Sequence, residues 1–152
     1  MPTDNQTPGI LLQSVIRTAP NYGIIYTWTR HLSMEAEPLE ALVVAHKAVE
    51  AASDKQASDV VLLDTRGVCS FADYFVICSG ESARQIKTIY EEVEHVLKKE
   101  GILPHHYEGT LDSGWLLIDY GDVIVHIFAP FEREFYRLDE LWSEATPVVR
   151  IQ

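Results

Sequence analysis

The spacing of apolar positions changes several times along this chain, and each change marks an element. After Pro38, the positions Leu39, Leu42, Val43, His46, Val49 and Glu50 recur at helical spacing with alanines between them. That pattern predicts a helix from Pro38 to Ser53, with proline in its first turn. VVLLD (Val60 to Asp64) is a short apolar run suited to a buried strand, and Gly67 ends it. DYFVICSG (Asp73 to Gly80) is apolar on both faces and predicts a second strand. Ser82 followed by Gln85 has capping-box spacing and opens a second helix. Its stripe is Ile86, Ile89, Tyr90, Val93, Val96 and Leu97, and Lys98, Lys99 and Gly101 close it. ILPHHYEG (Ile102 to Gly109) predicts a third strand.

WLLIDYGDVIVHIF (Trp115 to Phe128) then reads as two strands joined at Tyr120-Gly121. With that turn, Asp119 falls opposite Asp122, Leu117 opposite Ile124, and Trp115 opposite His126. Leu116, Ile118, Val123 and Val125 form the other face, which is wholly apolar and reads as core. The Trp/Asp/Asp/His face needs another explanation, because two carboxylates directly opposite each other destabilise a sheet. Pro130 stops the last strand. FEREFYRLDELW (Phe131 to Trp142) predicts a short helical tail with Phe135, Leu138, Leu141 and Trp142 on its apolar side. The order of elements predicts an α/β fold: a single domain with a mixed five-stranded sheet flanked by helices. Its expected bounds are residues 38–145, between an N-terminal extension (1–37) and a C-terminal tail (146–152).

Composition narrows the function. A chain of 152 residues, 47% hydrophobic, supports one domain with a real core. Its net charge of −11 argues against nucleic-acid binding and favours a basic protein surface as partner. Cys69 and Cys78 lack C-x-x-C spacing and read as buried thiols. No apolar run approaches the roughly 18 residues of a membrane span. Residues 1–33 hold one acid, Asp4, against Arg17 and Arg30. They lack the basic start of a signal peptide. An organellar transit peptide, or a true start at Met34, are the alternatives.

Four groups of residues could carry chemistry. SGESAR (Ser79 to Arg84) is a glycine turn entering a helix N-terminus, either a capped start or a phosphate cradle. His105, His106 and His126 are possible metal ligands, although adjacent histidines on a strand face opposite ways. His126 reads better as a packing or interface residue whose second nitrogen meets a carboxylate. Asp119 and Asp122 could hold Mg²⁺ in a phosphoryl-transfer enzyme. A docking reading fits more of the pattern: Trp115 supplies an aromatic anchor, and the aspartates an acidic rim facing Lys and Arg.

ADYFVICSGESARQ (Ala72 to Gln85), HYEG (His106 to Gly109), GWLLIDYGDVIVHIF (Gly114 to Phe128) and REFYRLDELW (Arg133 to Trp142) closely resemble the Iojap family, the ribosomal silencing factors. The resemblance runs from about Leu39 to Trp142. It implies a non-enzymatic protein, without cofactor or metal, on a nucleotidyltransferase-like scaffold. It also implies binding to the large ribosomal subunit through ribosomal protein fourteen. Such binding would block the small subunit and lower translation, with a possible further role in large-subunit biogenesis. The docking residues it implies are Trp115, Asp119, Asp122, Val123 and His126 on the hairpin, with Glu108 and Gly109 from the neighbouring strand. A homodimer is implied too, in the cytoplasm, or in an organelle matrix or stroma if the extension is a transit peptide. The rival is a transferase using Asp119 and Asp122 with Mg²⁺. Against it, Ser79-Gly80 reverses the transferase Gly-Ser order, and no clear third carboxylate completes the set.

Overall fold

The computed structural model describes residues 38–152, so the readings for 1–37 lie outside the described residues. A first helix, α1 (Pro38–Asp54), leads into β1 (Ser58–Asp64), and β2 (Tyr74–Ser79) returns alongside it. Next come α2 (Ala83–Lys99), β3 (His106–Glu108), a 3₁₀ turn (Leu111–Ser113), β4 (Trp115–Asp119) and β5 (Val123–Phe128). Two short helices, α3 (Pro130–Tyr136) and α4 (Leu138–Leu141), precede β6 (Thr146–Ile151).

The strands form one sheet in the order β3-β4-β5-β2-β1-β6. Only β2 and β5 are parallel; every other neighbouring pair is antiparallel. The single α/β domain with a mixed sheet is as expected, but the sheet has six strands rather than five. The sixth is β6, placed in the expected tail. It pairs along β1, for example Val60 with Ile151 and Asp64 with Thr146, and its side chains are mostly exposed. A strand that buries so little leaves no apolar period to read.

One face of the sheet is closed by α1 and α2, whose Ala45, Ala48, Val49, Ile86, Ile89, Val93 and Leu97 pack on Val60, Leu62, Val76, Ile118 and Val125. The alanines of α1 let its backbone approach the strands closely. The start of α2 follows its sequence signal, with Ser82 Oγ accepting the Gln85 amide at 3.1 Å. Gln85 Oε1 returns to the Glu81 N–H, 2.7 Å, one residue earlier than a standard capping box. On the opposite face Val61, Leu63, Phe75, Ile77, Trp115, Leu117, Ile124 and Phe128 pack beneath Leu138 and Trp142. Cys69 and Cys78 are both buried and are not joined in a disulfide, and burial pushes the Cys78 thiol up to about 12. No helix among the described residues is long and apolar enough to cross a membrane.

Candidate docking site

The hairpin turns one residue later than the sequence suggested. Tyr120 N–H donates to the Val123 carbonyl at 2.9 Å, which leaves Gly121-Asp122 as the two-residue turn. Gly121 sits at φ 90°, and a glycine at the first turn position suits the right-handed twist of the strands. Asp119 Oδ1 fixes the choice by accepting the Gly121 N–H at 2.7 Å. The register therefore moves by two residues: Asp119 lies opposite Ile124, Leu117 opposite His126, and Trp115 opposite Phe128. The expected facing pair of aspartates does not form. A two-residue slip preserves the faces, so Trp115, Leu117, Asp119, Ile124 and His126 still share one side.

That side is not an open surface around Trp115. The indole is 2% exposed, with its ring centre 4.6 Å from that of Phe128 and 4.7 Å from that of Tyr136 on α3. Its N–H donates to His126 Nδ1 at 3.2 Å. The accepting Nδ1 places the proton of the neutral His126 ring on Nε2, which meets no partner among the described residues. His126 was expected to reach a carboxylate and instead holds an indole. Burial, with Arg133 nearby, lowers its pKa to about 3, so the ring is neutral. Trp115 and His126 therefore form the floor of the site, not its exposed anchors.

The other expected residues divide. Val123 is buried in the α1–α2 core and does not join this face. Glu108 is buried, and its Oε1 lies 2.7 Å from His106 Nε2. Gly109 is held by geometry: at φ 98°, a Cβ there would stand 2.0 Å from the Trp115 carbonyl oxygen. Asp119 and Asp122 remain half-exposed at the turn. Burial raises the Asp119 pKa, against the lowering effects of the Gly121 N–H and of His105 and His106. The Asp122 carbonyl accepts the N–H groups of Asp73 and Tyr74 at 2.8 and 3.0 Å, tying the turn to the start of β2.

The three histidines do not converge. His106 bonds Glu108 while His126 bonds Trp115, and the described residues contain no group of three His, Cys, Asp or Glu able to hold a metal. At the start of α2, Ser82 Oγ accepts the Gln85 amide and Gln85 Oε1 the amide of Glu81 just before the helix, and Ser79 Oγ accepts from Arg133 at 2.9 Å.

Sequence reading missed the aromatic surface of α3. The expected tail breaks at Arg137, which takes φ 46° and separates α3 from α4. The break turns Leu138 and Trp142 inward. It leaves Phe131 70% and Phe135 67% exposed, with ring centres 5.8 Å apart. Phe135 then meets Tyr136 edge-on at 5.0 Å, and Tyr136 lies on Trp115. The available signal was the i, i+4 pair Phe131/Phe135 beside a second pair, Leu138/Trp142: four large apolar residues that a few helical turns cannot all bury. Glu132, Glu134 and Glu140 accompany the patch in sequence.

This fold and these motifs have relatives. A ribosomal silencing factor from Halalkalibacterium halodurans is 42% identical over 105 residues, covering 69% of this chain and 89% of the relative. The chloroplastic protein Iojap of Zea mays is 34% identical over 109 residues, covering 72% of this chain and 47% of that longer protein. The crystal structure of a Chromobacterium violaceum protein superposes with a TM-score of 0.66 at 31% identity, covering 74% of this chain and 94% of its own. Residues 38–152 match the family model described as ribosomal silencing factor during starvation, and the chain belongs to the ribosomal silencing factor family.

Proposed function

We propose that the protein is a translation repressor that docks on ribosomal protein fourteen of the large ribosomal subunit and occupies the space the small subunit would take. Family membership over residues 38–152 is the observation that carries this reading. The mechanism is steric and uses no catalytic group. The proposed docking face joins the acidic turn at Asp119 and Asp122 to the exposed aromatics of α3. Trp115, His126 and Gly109 lie beneath it and fix its shape. Aromatic rings supply contact area at low entropic cost, and a rim of carboxylates steers a basic partner and sharpens specificity. A protein of net charge −11 is also repelled by bare ribosomal RNA, which favours a protein contact on the subunit. A role in large-subunit biogenesis and a homodimeric state belong to the same reading.

The test combines co-sedimentation with light scattering during subunit joining. Wild-type protein should co-sediment with large subunits only and suppress the rise in scattering when small subunits are added. Tyr136→Ala and Asp119→Lys should each weaken both effects, the second with a reduced dependence on salt. Normal joining with no co-sedimentation of wild type would overturn the reading.

A further inference from the structure

Strand β3 places two side chains of unlike exposure on the Trp115 face of the sheet. Glu108 lies opposite Leu117 and His106 opposite Asp119, and residues directly opposite in an antiparallel pair share a face. Glu108 is 5% exposed, whereas 52% of the His106 side chain is open to solvent. Their contact, Glu108 Oε1 to His106 Nε2 at 2.7 Å, joins a covered carboxylate to a ring that water reaches. The other carboxylate oxygen, Oε2, is buried and meets no hydrogen-bond partner among the described residues. A buried carboxylate with half of its acceptors unmet leans on the partner it has. That partner is His106.

The surroundings of His106 are acidic beyond its own strand. Asp119 faces it from β4, and the charges acting on the Asp119 carboxyl are those of His105, His106 and Asp122. His105, the neighbouring imidazole, is exposed and lies against Gly121 of the same turn. On β5, His126 is buried and neutral, and Glu132 of α3 lies at the far end of β4 beside Gly114. His106 therefore connects the buried carboxylate to the acidic turn of the proposed docking face. Imidazole is the side chain whose charge changes between about pH 5 and 8. A neutral ring leaves the carboxylates to attract a basic partner. A protonated ring cancels one unit of that negative charge and repels the partner's Lys and Arg. Proton and partner then compete for one patch of charge, and by linkage each weakens the binding of the other.

We propose that His106 makes docking sensitive to protons: when it takes up a proton beside Glu108 and Asp119, this face loses part of its hold on a basic protein surface. The inference rests on the docking reading above and adds a regulated residue to it.

The experiment is co-sedimentation of the full chain with large ribosomal subunits, read as an apparent Kd at pH 8 and at pH 6. Wild type should bind roughly three- to tenfold more weakly at pH 6, the scale of one charge at a charged interface. His106→Gln keeps an N–H for Glu108 but takes up no proton, so its Kd should change by less than about twofold. His106→Lys, charged at both pH values, should bind weakly at both. His105→Gln should keep the wild-type step. Wild type that binds equally well at both pH values overturns the proposal and leaves the docking reading standing. So does an undiminished step in His106→Gln, or a step that disappears in His105→Gln. Absence of wild-type binding at either pH overturns the docking reading itself, and the proposal with it.

Discussion

On one face of the sheet, two helices of 17 residues each lie over an apolar surface. On the other, helices of seven and four residues lie over a tryptophan, a histidine and a second set of apolar side chains. The first face needs only apolar area, about 1.5–3 kcal/mol for each large side chain fully buried, and many sequences would supply it. The second depends on particular pairings: the Trp115 N–H on His126, Tyr136 on Trp115, and Arg133 between Ser79 and Asp139. Long helices make the first face stable. Short ones leave aromatic rings outside on the second, so that stability and the proposed partner contact are divided between the two sides of one sheet.

The largest test of that division is Trp115→Ala. A buried indole gives up transfer energy and leaves a cavity, a loss of about 3–5 kcal/mol. Ile89→Ala under α2 should cost about 2–5 kcal/mol by the same route. Urea melts of both variants would check this. A small effect at Trp115 beside a large one at Ile89 would show that the second face contributes little to stability. Gly109→Ala should cost about 2–3 kcal/mol, because the new Cβ is driven onto the Trp115 carbonyl at a backbone angle that alanine resists. A Tm within a degree of wild type would contradict the close approach.

A smaller effect concerns pH. The folded His126 ring has its pKa held down to about 3, whereas in the unfolded chain it titrates near the ordinary imidazole value of 6.5. Below the higher value the unfolded chain takes up a proton that the folded one refuses. This contribution to stability is therefore complete above pH 6.5. It falls by ~1.4 kcal/mol per unit as the pH drops toward 3. Denaturant melts between pH 7 and pH 5 should show the added slope in wild type and not in His126→Phe. Parallel curves would place the histidine in a wetter site. The smallest expected change in stability is Phe135→Ser, within about 0.5 kcal/mol of wild type because the ring lies outside. Its expected effect is on large-subunit co-sedimentation, at least several-fold weaker. A folded variant with undiminished binding would remove α3 from the docking face.

Much of this was legible in the residues. The stripe and cap of α2, the two apolar strands before it, and the alternation along Trp115 to Phe128 each carry one period, and each became the expected element. The turn was misplaced because Tyr120-Gly121 and Gly121-Asp122 both put a glycine where positive φ is needed. What decides between them is the Asp119 carboxylate on the Gly121 N–H, a contact that pairing rules do not contain. Trp115, Asp119 and His126 were expected on one face of the hairpin, and they share one. Whether a face is covered depends on elements further along the chain, and here the cover turns on the left-handed Arg137, which no glycine or proline announces. The strand β6 escaped for the opposite reason: its order comes from the hydrogen bonds of β1 rather than from any burial of its own.

The thin cover over Trp115 also sets a hierarchy of motion. No side chain of α3 is buried, and a helix of seven residues has little stability apart from its tertiary contacts. Those contacts include the Arg133 bridges, the ring of Tyr136 on Trp115 and Phe128, and Glu132 against Gly114. Such a segment opens locally at a small fraction of the free energy that opens the sheet. Amide hydrogens of α3 should then exchange with solvent well ahead of those in β2 and β5. Each such opening bares the indole and imidazole beneath while the sheet and α1–α2 stay folded, so the aromatic floor is accessible for a small part of the time in a fully native molecule.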